Sequence, residues 1–172
     1  VGENNLQQSQ VDRLVNVLEE QIKVYRHLLD TVRKEKDILI AANLDELNEN
    51  NRSKEAMLIK VRALEAERLR AASELHRELK IAGDEPRLLE IARELNSASG
   101  DKLRNIHNVL DLLLRRVQDY NRQNEALVQS ALTNITGAMN AIKGTLQEKP
   151  TYQKKGEVEG QTNSGQLVRR EA

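Results

Sequence analysis

His27, His76 and His107 carry the side chains best suited to holding a metal or moving a proton near neutral pH. Helical bundles hold carboxylate-bridged metals through a Glu three residues ahead of a His on facing helices. Here those places are taken by Val24, Ser73 and Arg104. The histidines read as surface or flanking residues, and no metal site is expected. There is no cysteine, which removes thiolate nucleophiles, thiolate ligands and disulfides together. No strand-to-helix elbow displays a serine beside a base. The carboxylates lie among lysines and arginines, as solvated helix faces do, and none of the eight glycines falls in GxGxxG or GxxxxGK. No catalytic residue, cofactor or enzymatic activity is expected.

Phosphate recognition fares no better. The basic doublets Arg115 and Arg116, Lys154 and Lys155, and Arg169 and Arg170 are diluted by Asp111, Asp119, Glu157 and Glu171, with no aromatic residue interleaved for base stacking. Lys plus Arg and Asp plus Glu balance at 27 each, so no nucleic acid or anionic surface is implied as a partner.

The sharpest local signal is "ALVQSALTNITGAMNAI", residues 126–142, which holds no charged residue in a chain where 31% of residues are charged. It is too polar to span a bilayer. Gly137 and Gly144 each cost a helix about 1 kcal/mol relative to Ala, so such a helix persists only when something covers it. Either the rest of the bundle buries it on two sides, or one side forms a strip for a partner's amphipathic helix.

Four helices must position these residues. Over 8–41, Val11, Leu18, Tyr25, Val32 and Leu39 sit seven apart, the mark of a seam that meets another helix lengthwise. Asn43 is a candidate cap for a second helix over 43–80, with Glu46 placed to reach back to it. So short a connection makes the two helices antiparallel neighbours. Gly83 suits a left-handed C-cap, Asp84 a new N-cap, and Pro86 the first turn of a short connector helix over 85–96 that the "NSASG" cluster ends. The last helix spans 101–147, about 70 Å at 1.5 Å per residue, and outruns the hairpin by roughly 10 residues. Beyond Pro150 the apolar residues thin to Val158, Leu167 and Val168, too few to offset the entropy of ordering.

The fold class is therefore all-α: an elongated antiparallel helical bundle with a long hairpin, a short connector helix and a long third helix. It occupies 1–147 as one domain, and 148–172 is a flexible C-terminal tail. With no Phe or Trp, the core must be aliphatic. No apolar run reaches the roughly 20 residues that cross a membrane, and the first residues lack a signal peptide's basic and apolar regions. A cytoplasmic protein without stable membrane insertion is expected.

At "LVNVLEEQIKVYRHLLDTVRKEKDILI", "AANLDELNE", "LEAERLRAASEL" and above all "YNRQNEALVQSAL" followed by "TYQKKG", the chain resembles the FlgN-type flagellar type III export chaperones. The resemblance covers nearly the whole chain. It implies a small, non-catalytic cytosolic chaperone that binds the helical termini of hook-filament junction proteins, prevents their premature assembly and delivers them to the flagellar export gate. The family's C-terminal substrate-binding part maps onto Leu127, Val128, Ala131, Leu132, Ile135, Ala138, Met139, Ile142 and Leu146. Its tail tyrosine maps onto Tyr152, for gate docking or for closing over the strip with Leu167 and Val168. Where the family ends in "TYGxxG", this chain has "TYQKKG". A monomer or weak oligomer is expected. The rival reading, a structural or scaffolding coiled coil with no export role, requires an obligate oligomer.

Overall fold

In the computed structural model, residues 2–83, 85–95 and 97–147 are described. They form α1 (Gly2–Ala41), α2 (Leu44–Glu78), α3 (Leu88–Glu94) and α4 (Ser97–Gln147), with no strand among them. The chain divides into two units, Val1–Val128 and Gln129–Ala172. The expected tail, 148–172, and the expected cap Asp84 lie outside the described residues.

Two adjacent caps make the α1–α2 hairpin tight. Ala42 sits in the left-handed region at φ 53°. Its N–H donates to the Leu39 carbonyl, and the next N–H, of Asn43, donates to that of Ile38, which closes α1 in a Schellman pattern. Asn43 is at once the N-cap of α2, its Oδ1 accepting the Glu46 N–H at 3.2 Å. The anticipated cap is present, but the Asn43 N–H is already committed to Ile38, so Glu46 has no donor to reach back for.

The other end of α2 differs from expectation. Lys80, not Gly83, takes the left-handed position, at φ 53°. The Lys80 and Ile81 N–H groups donate to the carbonyls of Arg77 and His76. Gly83 also has positive φ but lies in the following link. Pro86 precedes α3 rather than opening it: Arg87 is extended at ψ 125° and is the N-cap, so the helix forms only where Leu88, Ile91 and Ala92 can be buried. The serines of "NSASG" do not break the chain. They begin α4, and buried Gly100 is what permits this: a Cβ there would fall inside contact distance of the Ala92 carbonyl oxygen at the end of α3.

Within residues 1–128, α1 is the central element. Its partners on α2 march in the opposite direction, Arg13 with Glu74, Gln21 with Glu65, Glu35 with Lys54. Its partners on α4 advance with it, Glu19 with Lys102, Arg33 over the Tyr120 ring, Lys36 with Gln123. Serving two neighbours requires more than one seam. Besides Val11, Leu18 and Val32, a second row at seven-residue spacing is buried, Val17, Val24, Thr31 and Ile38. At one end Leu14, Leu18, Leu75, Ile91 and Leu103 join all four helices in an aliphatic core. Farther along, Leu28, Leu29 and Val32 pack with Leu113 and Val117.

The second region is held by polar groups as well. Asn124, 4% exposed, donates through Nδ2 to the Val32 carbonyl (2.9 Å) and to Glu35 Oε2 (3.0 Å). Lys54 Nζ reaches Glu35 Oε1 at 2.6 Å. Asn50 Nδ2 donates to the Thr31 carbonyl at 3.3 Å. Buried amides and charges stay buried only when so bonded, and they discriminate between registers that aliphatic side chains would tolerate.

Candidate partner-binding face

Of the nine residues expected to bind a partner, Leu127 is half-buried and the other eight are exposed on α4. Every residue from Val128 to Leu146 is exposed. The large apolar side chains among them are not scattered: Val128, Leu132, Ile135, Met139, Ile142 and Leu146 alternate steps of four and three, which keeps them on one face of a helix over about 27 Å. Leu132 is 52% exposed, Ile135 57% and Leu146 62%. Of the two coverings open to this segment, burial by the described residues on two sides does not occur. A contiguous row of half-exposed Leu and Ile is unusual for a surface unless another molecule covers it.

Gly137 and Gly144 have open space where a Cβ would be, so packing does not require them. Thr133 and Thr145 turn their hydroxyls back onto the carbonyls of Gln129 and Ala141, which satisfies them locally. Within 126–142 there is no charge to orient a substrate or stabilise a transition state. The face can hide apolar surface; it has no group with which to transform it. Tyr152, Leu167 and Val168 lie outside the described residues.

A second concavity lies within residues 1–128. It is an open cleft of about 1040 Å³ floored by Leu18, Gln21 and Tyr25 and walled by Leu69, Leu89 and Leu114. Its polar groups are turned on each other. Arg68 grips Glu65 with two bonds, at 2.8 and 2.6 Å, and Gln21 Nε2 adds a third at 3.0 Å. The Arg68 hydrogen bonds hold the Glu65 carboxyl below the usual carboxylate range and raise the guanidinium, while burial pushes the Tyr25 phenol up.

The histidines do not all lie where expected. His27 is exposed and His107 half-buried, but His76 is 6% exposed, its Nε2 enclosed without a hydrogen-bond partner. The position on α2 that His76 occupies follows Leu75 into the four-helix core, so the surface reading is corrected there. Among the described residues no group of three His, Asp or Glu could hold a metal ion, and no helix is long and apolar enough to cross a membrane.

Sequence reasoning put Asn124 in the helical repeat of the last helix and in a motif, but gave it no partner. The structure gives it a place, the buried amide that ties α4 to α1 just ahead of the exposed face. Its hydrogen-bond partners are about ninety residues away in sequence, so spacing along α4 could not reveal them.

No curated protein and no solved structure shows significant similarity to the chain. The family described as "FlgN protein" matches residues 10–160, which take in all of α2 and α3 and nearly all of α1 and the whole exposed face of α4. The chain belongs to the FlgN family, a family of flagellar export chaperones rather than of enzymes.

Proposed function

We propose that this chaperone binds the amphipathic terminal helices of hook-filament junction proteins along residues 127–146, keeps them from assembling prematurely in the cytoplasm and delivers them to the flagellar export gate. The observation that carries the reading is the exposed, charge-free apolar row from Val128 to Leu146. A junction protein's terminal helix is apolar on one face because that face is destined for burial among neighbouring subunits, and the row offers an equivalent surface in advance. Release requires no chemistry, since a helix held by apolar contact is handed on when a better apolar neighbour is offered. Tyr152, with Leu167 and Val168, enters the proposal as a gate-docking or covering segment on the family resemblance.

Ile135→Asp tests the site. The side chain is 57% exposed in the free chain, so folding loses little. Binding loses roughly 1 kcal/mol of apolar burial and in addition must desolvate a carboxylate, at a cost of a further 2 kcal/mol or more. A fall in affinity of at least about 100-fold for a junction protein is expected by calorimetric titration. Unchanged affinity would remove residues 127–146 as the site.

A further inference from the structure

We infer that, when no cargo is bound, four copies of this chain bury the same face by associating through α4. The face's position in the inference is shared with the proposed cargo site; the association itself does not depend on that reading, whereas its competition with cargo does. The argument rests on which residues occupy which places in the row.

With steps of four and three, the row resolves into two interleaved sets. Leu132, Met139 and Leu146 take the positions called a in a heptad, and Val128, Ile135 and Ile142 take the positions called d. In parallel coiled coils, β-branched residues at a with Leu at d favour two strands. The reverse distribution, Leu at a and Ile at d, favours four, because the side chains meet the partner at a different angle at each layer. This chain has the reverse distribution at every layer, with Met in place of one Leu.

The flanks agree. A two-stranded pair leaves the neighbouring e and g positions at the water boundary, where Glu and Lys usually stand. In a four-stranded assembly those positions are enclosed. Here g holds Ala131, Ala138 and Thr145, and e holds Gln129 and Thr136; the last e position, at the end of the row, is Lys143 and is charged. That accounts for the absence of charge from 126–142, which a narrow a/d seam would not require. Over residues 126–142 identical helices therefore meet without like-charge repulsion. Gly137 and Gly144 fall at f, the position farthest from the seam, where the open space around them costs the assembly nothing.

The test is sedimentation equilibrium of the full chain without cargo, from sub-micromolar to several hundred micromolar, beside two variants. The parent chain is expected to pass from the single-chain mass to four times that mass as concentration rises. Ile135→Asp is expected to keep the single-chain mass throughout, with unchanged circular dichroism of the hairpin. The second variant exchanges the two sets, Leu132→Ile, Met139→Ile and Leu146→Ile with Val128→Leu, Ile135→Leu and Ile142→Leu. It retains the apolar face and is expected to stop at twice the single-chain mass. A parent chain that stays at the single-chain mass at every concentration overturns the inference, even if it binds a junction protein and so supports the cargo reading. Association that Ile135→Asp leaves intact, or a fourfold mass in the exchanged variant, overturns it as well. Added junction protein is expected to convert the fourfold species into a complex with one chaperone chain. A fourfold species that no junction protein dissociates refutes the competition and the cargo reading while upholding the association.

Discussion

Removing the Asn124 side chain measures how much of the α1–α4 docking is polar. In Asn124→Ala two hydrogen bonds disappear, one to the Val32 carbonyl and one to Glu35 Oε2. The Val32 carbonyl belongs to a helix interior and keeps its own α1 partner, so its loss is worth about 1 kcal/mol, the ordinary net value of a neutral bond. The bond to Glu35 is charge-assisted and buried, worth about 1.5–3 kcal/mol, and its removal leaves Glu35 with Lys54 alone. The expected destabilisation is about 2.5–4 kcal/mol, read from urea denaturation followed by circular dichroism, with the midpoint shifting and the slope nearly constant. A double-mutant cycle isolates the second term. Asn124→Ala and Glu35→Gln, singly and together, should show a coupling of about 1.5–3 kcal/mol, because both changes act on the same bond. A coupling below about 0.5 kcal/mol, or a loss below about 1 kcal/mol for Asn124→Ala, would mean that the aliphatic layer of Leu28, Leu29, Val32, Leu113 and Val117 holds the helices alone.

The two left-handed cap positions should be improvable: Ala42→Gly and Lys80→Gly relieve a positive φ at a residue with a Cβ, and each is expected to stabilise the chain by about 0.5–1 kcal/mol in the same denaturation assay. Gly100→Ala should do the opposite, losing about 1–3 kcal/mol and exposing α3 to hydrogen exchange, because its Cβ would collide with the Ala92 carbonyl oxygen. The Glu65 carboxyl is held below its ordinary value of about 4.3 by Arg68, so its contribution is present above that value and lost as pH falls through the lowered folded value. Glu65→Gln should therefore cost stability at neutral pH, by no more than about 1 kcal/mol because the pair is partly solvated, and the difference from the parent should vanish in acid titration once pH has fallen below the lowered folded value; a difference that persists there would refute the ion-pair explanation.

Which features the sequence disclosed follows from how local their causes are. The hairpin was legible because its turn is made between Ile38 and Glu46: the Asn43 side chain caps α2, and the residues just before it close α1. The seven-residue row through Val11, Leu18 and Val32 was legible because a helix repeats its own face. The second row through Val17, Val24, Thr31 and Ile38 was not separable from it. A helix buried on two sides shows both rows at once, and only the partners on α2 and α4 distinguish them. Gln21, Asn50 and Asn124 are buried with their amide nitrogens donating to groups elsewhere in the chain, Glu65, the Thr31 carbonyl and the Val32 carbonyl, and a polar residue carries no mark of its partner. Gly100 resembled a helix breaker for the same reason, since the carbonyl that excludes a side chain there belongs to α3. The charge-free segment is the converse case. Its neighbours along the chain say only that charge is missing; the exposure of Val128 through Leu146 says that burial by the described residues is not the cause.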